Sequence, residues 1–169
     1  YCNLVGSQDE LIFDGQSLIF NSKGDLISKG KPFSEDLLIA DISKNKTVEM
    51  KVHPREKMTY DALVLGVKDY FKKTGHSNAV IGLSGGIDSS LTACIAVEAL
   101  GAKNVHGIAM PSRFSSQHSL DDAEELAKNL KIDFRKIPIN SVVKSYESLL
   151  IEDLDNENIG LAEENIQSR

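Results

Sequence analysis

Cysteine and long apolar segments are both scarce in this sequence. Cys2 and Cys94 are the only cysteines in 169 residues, and they form neither a CxxC pair nor a plausible metal-binding set. No stretch approaches the roughly 20 apolar residues that a membrane-spanning helix needs. The first residues also lack the basic-then-apolar pattern of a secretory signal. We therefore expect a cytoplasmic protein with no membrane partner.

Positive charge is scarce as well. The 19 Lys and Arg residues are outnumbered by 25 Asp and Glu residues, which gives a formal net charge of −6. A broad nucleic-acid-binding surface needs clustered Lys and Arg, so this balance argues against a nucleic-acid partner. The histidines are scattered and show no metal-ligand spacing. The remaining composition, 41% apolar and 26% charged, is typical of a globular chain.

Turn signals divide residues 1–42 into short apolar runs. Turns are predicted at residues 5–7, 13–15, 21–25 and 29–32, where Gly, Asn, Asp, Ser, Lys or Pro cluster. This rhythm predicts strands and hairpins, but the segment is too small to close a core of its own. We expect the tail of a larger upstream domain here. Residues 43–57 are polar and aperiodic, which predicts a linker.

Helix and strand patterns alternate after the predicted linker. Helices are expected at residues 58–74, 88–100 and 142–151, and a further helix is expected to open at Ser119, with Asp122 completing a capping box. Buried strands are expected at residues 78–83, 105–110 and 132–137. The alternation predicts an α/β fold with a doubly wound parallel sheet.

The most informative segment is the turn at residues 84–90, Ser-Gly-Gly-Ile-Asp-Ser-Ser, between a strand and a helix. Gly85 and Gly86 allow a tight turn whose N–H groups approach an anion closely. The following helix adds unpaired N–H groups and the positive end of its dipole. Asp88 beside a phosphate implies a cation between them, and Mg²⁺ accepts a carboxylate ligand in this setting.

Other interpretations of this turn are less favoured. An ordinary strand–helix turn, in which Asp88 caps the helix, does not account for the serines on both sides of the glycine pair. The Walker loop is excluded because no Gly-Lys-Ser/Thr occurs at the required spacing. The Rossmann fingerprint, Gly-x-Gly-x-x-Gly, is also absent.

Residues 84–89 resemble the signature of the ATP pyrophosphatases, which include the NAD, GMP, asparagine and argininosuccinate synthetases and the tRNA-thiolating enzymes. The resemblance implies an adenine-nucleotide α-hydrolase-like fold. In this group the loop holds the pyrophosphate of ATP while a substrate oxygen attacks the α-phosphorus. An adenylate forms, pyrophosphate leaves, and a nucleophile then displaces AMP.

Three further stretches are similar to glutamine-dependent NAD synthetases in particular. Residues 110–116, Met-Pro-Ser-Arg-Phe-Ser-Ser, resemble the loop after that family's second strand. Residues 162–169 resemble its Glu-Asn-Leu/Ile-Gln-Ala-Arg motif, with Ser168 in place of the usual Ala. Residues 3–17 resemble the last strands of its nitrilase-like glutaminase domain. The three stretches occur in the family's order along the chain.

The resemblance implies a glutaminase that frees ammonia from glutamine, and a synthetase that adenylates and amidates the nicotinate carboxylate of deamido-NAD. Residues 1–42 would then be the end of the glutaminase domain, and residues 58–169 the first part of the synthetase domain. The glutaminase Glu, Lys and Cys are expected upstream of Tyr1. A second metal ligand and a Lys are expected beyond Arg169, so the piece alone is not expected to make NAD. The resemblance also implies a homo-oligomer.

The resemblance assigns site residues by position, although no catalytic residue can be assigned. Asp88 matches the Mg²⁺ ligand, and Asn165 and Arg169 match positions assigned to deamido-NAD. The role of Arg113 is left open between a guard of the nucleotide loop and a surface residue. The residues assigned to ATP are Gly82, Leu83, Ser84, Gly85, Gly86, Ile87, Asp88, Ser89 and Met110.

Two alternatives remain open at this point. One is another ATP pyrophosphatase, either GMP-synthetase-like or tRNA-modifying, although residues 110–113 and 164–169 do not fit the former. The other is a non-catalytic module that binds ATP without cleaving it. Asp88 beside the loop argues against this alternative.

Overall fold

The computed structural model describes residues 1–43 and 47–150. The chain divides into two compact units, the first ending at Ser77 and the second beginning at Asn78. Among these residues, none of the helices combines the length and apolar character that crossing a lipid bilayer requires.

Two antiparallel hairpins begin the first unit. Strand β1 (Val5–Gln8) pairs with β2 (Leu11–Asp14), and β3 (Leu18–Phe20) pairs with β4 (Leu26–Lys29). The Asn21 side chain accepts hydrogen bonds from the N–H groups of residues 23 and 25 and so holds the β3–β4 turn. The predicted hairpins are confirmed. The turn predicted at residues 5–7 is wrong, because these residues lie within β1.

Helix α1 (Arg55–Thr74) completes the first unit and contacts β1 and β2. It begins directly after Pro54, three residues before the predicted start, and ends at Gly75, whose φ of 74° is left-handed. The Gly75 N–H donates to the Phe71 carbonyl, which satisfies one of the last carbonyls of the helix.

The second unit contains a parallel three-stranded sheet in the order β5 (Ala79–Gly82), β6 (Val105–Ala109) and β7 (Asp133–Lys136). Helix α2 (Ile87–Leu100) and a short 3₁₀ turn (Ala102–Asn104) connect the first two strands. Helix α3 (Gln117–Leu130) connects the second and third, and α4 (Asn140–Leu150) follows β7. The predicted α/β class with a parallel sheet is confirmed.

Small side chains allow α2 and α3 to approach the sheet closely. Ala93 and Ala96 of α2 and Ala123 and Ala127 of α3 are buried at helical spacing against Val105 of β6. Burial on both faces of the first strand was expected and is not found, since Val80 is 66% exposed. The reason is that α2 and α3 contact each other as well as the sheet, which places them together on one face.

The start of α3 differs from the sequence prediction. Ser116 rather than Ser119 is the N-cap, and its hydroxyl accepts a hydrogen bond from the Ser119 N–H at 3.1 Å. The two hydroxyls are 2.8 Å apart. Both serines are suitable caps, but only Ser116 has a residue three positions later whose N–H points back to it. The helix therefore begins two residues before Ser119.

Lys136 connects β7 to α3 through the Glu124 carboxylate, which Lys128 also contacts from within α3. The Lys136 Nζ atom lies 2.6 Å from one Glu124 oxygen, and the Lys128 Nζ atom lies 2.9 Å from the other. Hydrogen bonding to Lys136 and then to Lys128 lowers the pKa of Glu124 to about 2. The resulting stabilisation is present above the ordinary carboxyl pKa and is lost as the pH falls toward 2. Solvent exposure keeps this contribution small.

Candidate functional site

Leu83 anchors the loop that joins β5 to α2. The residue is 3% exposed, and its N–H donates to the Ile108 carbonyl on β6 at 2.8 Å. Its side chain fills the space above Gly107, where an added Cβ would lie 2.7 Å from the Leu83 Cδ1 atom. The loop therefore leaves the sheet from a fixed, buried point.

Gly85 brings the loop against the first turn of α3. Its φ of +80° is a conformation that favours glycine, and an added Cβ would lie 2.2 Å from the Ser119 carbonyl oxygen and 2.7 Å from the Ser119 Cα. No side chain fits between these two backbones. The position thus requires glycine both for its conformation and for its packing.

The three serines of the loop bind its own backbone. The Ser84 hydroxyl accepts from the Gly86 N–H at 3.2 Å, while the hydroxyls of Ser89 and Ser90 donate to the Gly86 carbonyl at 3.0 and 2.8 Å. The Ser84 and Ser89 hydroxyl oxygens are 3.1 Å apart. These hydrogen bonds shape the turn.

Among residues 1–43 and 47–150, no side chain caps the N-terminus of α2. Gly86 is the N-cap, in an extended conformation with φ −85°, and its own N–H donates to the Ser84 hydroxyl. Helix α3 differs, since Ser116 caps it. An uncapped N-terminus presents N–H donors and the positive end of the helix dipole to solvent, and both suit an anion.

Asp88 lies in this first turn with an exposed carboxylate. In the described part of the chain its side chain has no hydrogen bond or ion pair. The alternative that Asp88 caps the helix is wrong, because Gly86 occupies the N-cap. The carboxylate is available to a ligand.

A cation at this position would have few protein ligands. Within residues 1–43 and 47–150, no group of three or more His, Cys, Asp or Glu side chains could hold a metal. Mg²⁺ commonly takes one or two carboxylates and completes its shell with phosphate oxygens and water. A single exposed Asp beside an anion-binding turn fits that preference.

Met110 follows the neighbouring strand at the same edge of the sheet. It is 53% exposed, and its Cε atom would lie 3.5 Å from a Cβ built on Gly82. Because β5 and β6 are parallel, their carboxyl ends meet here beside the loop. The structure therefore brings together the expected residues from Gly82 to Ser89 and Met110.

Arg113 connects the loop after β6 to α4. Its guanidinium lies 2.9 and 3.5 Å from the two oxygens of Glu147 and 4.8 Å from the centre of the Phe114 ring. The sequence left the role of Arg113 open, and it did not single out Glu147. The two residues are 34 positions apart, so no local pattern could have paired them. Arg113 therefore links the loop after β6 to α4.

Asn165 and Arg169, expected at the deamido-NAD site, lie outside the described residues.

Comparison with protein families identifies the part of the chain that contains the loop between β5 and α2. The family model described as NAD synthase matches residues 59–169, a range that contains the whole strand–loop–helix segment. The chain belongs to the NAD synthase family. The match begins inside α1 and leaves both hairpins outside it.

Curated relatives in the NAD synthase family match the entire chain. A glutamine-dependent NAD(+) synthetase from Synechocystis sp. is 47% identical over 176 residues, which cover 100% of this chain and 31% of the relative. Another from Thermotoga maritima is 39% identical over 206 residues, covering 100% of this chain and 36% of the relative. The chain thus spans about a third of the length of the curated relatives it matches.

Solved structures of the NAD synthase family agree with the fold. The glutamine-dependent NAD+ synthetase from Acinetobacter baumannii, solved in complex with ADP, has a TM-score of 0.90 and 39% identity. The match covers 99% of this chain and 33% of that chain. The NH3-dependent NAD synthetase from Campylobacter jejuni, in complex with nitrate, has a TM-score of 0.53 and 28% identity, covering 57% of this chain and 42% of that one.

Gly85→Ala should destabilise the protein by roughly 2–4 kcal/mol. Alanine would be strained at the left-handed φ of this position, and its Cβ atom would overlap the Ser119 backbone. Gly75→Ala is the matched control, since its φ of +74° is similar and nothing lies within 4 Å of the added Cβ. Gly75→Ala should cost only about 1 kcal/mol. Denaturant unfolding of both variants measures the difference. Equal losses would show that Gly85 is needed for its conformation and not for contact with α3.

Proposed function

We propose that the intact protein is a glutamine-dependent NAD synthetase that converts deamido-NAD to NAD at the expense of ATP. The observation that carries this proposal is the uncapped loop-to-helix turn at residues 84–89, within a chain of the NAD synthase family. The nicotinate carboxylate of deamido-NAD would attack the α-phosphorus and release pyrophosphate. Ammonia derived from glutamine would then displace AMP and form the amide.

The loop supplies the ATP-binding half of this site. We assign the pyrophosphate to the N–H groups of the first turn of α2, beginning at Ile87, where no capping side chain from the described residues competes. Residues 82–89 would line this part of the nucleotide. The adenine would rest against the carboxyl end of β6, at Met110, because nucleotides commonly bind where parallel strands end.

Asp88 is the residue we assign to Mg²⁺. Its carboxylate is exposed and has no hydrogen-bond or ion-pair partner in the described part of the chain, so it suits a hard cation and would otherwise repel a phosphate in the same turn. Mg²⁺, when bound, supplies charge neutralisation for the departing pyrophosphate. Asp88 itself holds the cation, and the α2 N–H groups orient the phosphates.

The second substrate would be held by Asn165 and Arg169. A guanidinium pairs with phosphate or carboxylate in a planar, two-point geometry, which suits an anionic dinucleotide. The net charge of −6 supports the absence of a nucleic-acid partner. We further propose a cytoplasmic homo-oligomer, the arrangement that the family resemblance implies.

Pyrophosphate release by the intact protein tests this function most simply. We expect release from ATP only when deamido-NAD is present, and NAD should form when glutamine or ammonia is added. Release with a different acceptor would contradict the NAD assignment and favour another ATP pyrophosphatase. ATP binding without release in the presence of any acceptor would favour a non-catalytic module.

Gly86→Ala should weaken ATP binding by at least about tenfold while the protein stays folded. The residue has a negative φ, so alanine is tolerated, and the added Cβ meets only the rotatable Ser84 hydroxyl at 3.3 Å. The methyl group would, however, lie beside the N–H groups that receive the phosphates. Isothermal titration with ATP and Mg²⁺ measures affinity, and a thermal melt should shift by only a few degrees. Unchanged ATP affinity would show that the turn is not the phosphate cradle.

Asp88→Asn should keep the fold and reduce Mg²⁺-dependent turnover about a hundredfold or more, since a metal ion contributes several kcal/mol. Glu98→Gln is the control, because it removes an exposed carboxylate from the opposite end of the same helix. Turnover is measured against Mg²⁺ concentration for both variants. Wild-type turnover by Asp88→Asn at limiting Mg²⁺ would remove this residue from the metal site.

A further inference from the structure

The loop between β6 and α3, residues 110–116, borders the proposed nucleotide site at both of its ends. Met110 begins the loop at the carboxyl end of β6, where we assign the adenine. Ser116 ends it as the N-cap of α3, and the backbone of Ser119 in the first turn of that helix packs against Gly85. We refer to residues 110–116 as the β6–α3 loop. Its conformation therefore affects both the adenine end and the phosphate end of the site.

Main-chain hydrogen bonds fix the base of the β6–α3 loop. The Ile137 N–H donates to the Ala109 carbonyl at 2.8 Å, and the Ile139 N–H donates to the Pro111 carbonyl at 3.0 Å. Helix α4 follows directly, beginning at Asn140. The main chain alone thus places the loop beside the start of α4.

A tight turn at the tip of the loop limits the freedom of Arg113. Ser112 is 8% exposed, its N–H donates to the Ser115 hydroxyl at 3.0 Å, and its own hydroxyl accepts from the Phe114 N–H at 3.1 Å. The Ser115 N–H donates in turn to the Ser112 carbonyl at 3.1 Å. Arg113 lies between these bonded residues, so its backbone is held in one conformation.

The Arg113 side chain connects this tip to α4. Its guanidinium contacts both oxygens of Glu147, and 18% of the Glu147 side chain is exposed against 44% for Arg113. The Phe114 ring lies beneath the guanidinium. A two-point contact with a shielded carboxylate fixes orientation as well as distance, unlike an exposed single-point pair. All of these residues belong to the second unit, which also carries the phosphate loop.

We propose that Glu147 is a positioning residue for ATP, which acts through Arg113 to hold the β6–α3 loop in the conformation that receives the nucleotide. This inference rests on the proposed function. A loop that can leave this conformation must be ordered again when ATP binds. The apparent affinity for ATP then falls in proportion to the fraction of molecules whose loop is competent. The two residues act through the loop and not by contact with the nucleotide.

The experiment is a double-mutant cycle on the intact protein. Isothermal titration with ATP and Mg²⁺ is carried out on the wild type, Glu147→Ala, Arg113→Met and the double variant, and kcat and KM for ATP and deamido-NAD are measured alongside. Glu147→Gln retains an oxygen that accepts from the guanidinium. The matched control is Glu124→Gln, which removes the 2.6 Å pair with Lys136, another contact between two elements of the same unit that involves no loop residue.

We expect each single variant to raise the Kd and the KM for ATP roughly three- to tenfold, the scale of one two-point ion pair. The double variant should be no worse than the weaker-binding single variant, because both changes break the same contact. The kcat and the KM for deamido-NAD should stay near their wild-type values, and Glu147→Gln should recover part of the loss. Glu124→Gln should bind ATP as the wild type does, and all melting temperatures should agree within a few degrees.

Four results would contradict the proposal. Wild-type or tighter ATP binding by Glu147→Ala, with weaker binding by Arg113→Met, would show that Arg113 contacts the nucleotide directly. Additive losses in the double variant would show that the two residues act independently. An equal loss in Glu124→Gln would indicate general loosening of the unit. Failure of the wild type to bind ATP would contradict the proposed function and this proposal with it.

Discussion

The contact between Gly85 and the backbone of Ser119 is the constraint on which the candidate site depends. It fixes the turn after β5 against the first turn of α3, at a separation that only glycine permits. The serine hydroxyls can then bond the loop to itself, and Leu83 can remain in the core. Within the described residues, no side chain caps the N-terminus of α2 that follows this turn. The surface that we propose for the phosphates of ATP thus lies beside a turn that is fixed by packing against α3.

Local sequence patterns predicted the parts of the fold that depend on local physics. Apolar periodicity and glycine punctuation located the helices and strands to within a few residues, because burial on one face dictates that spacing. The glycine pair and Asp88 were likewise identified from their own chemistry. The strand at residues 78–83 was predicted to be buried on both faces, which is wrong because Val80 is exposed. A continuous apolar run does not reveal which face of the sheet the helices cover.

Contacts between distant residues could not be predicted in this way. The pairing of Arg113 with Glu147, and the docking of Gly85 on Ser119, each depend on the three-dimensional arrangement of α3 and α4. The cap of α3 was misplaced for a related reason, because two serines three residues apart both satisfy the sequence rule. The hydrogen bond from the Ser7 N–H of β1 to the Asp69 carboxylate of α1 joins positions 62 residues apart and had no sequence signal.

The central claim is that the turn at residues 84–89 holds the phosphates of ATP. A crystal structure of the intact protein with ATP and Mg²⁺ tests this most directly. The account predicts phosphate oxygens about 3 Å from the main-chain nitrogens of the first turn of α2, with the Asp88 carboxylate on the metal ion. Phosphates bound away from this turn, with Asp88 remote from the metal, would contradict it.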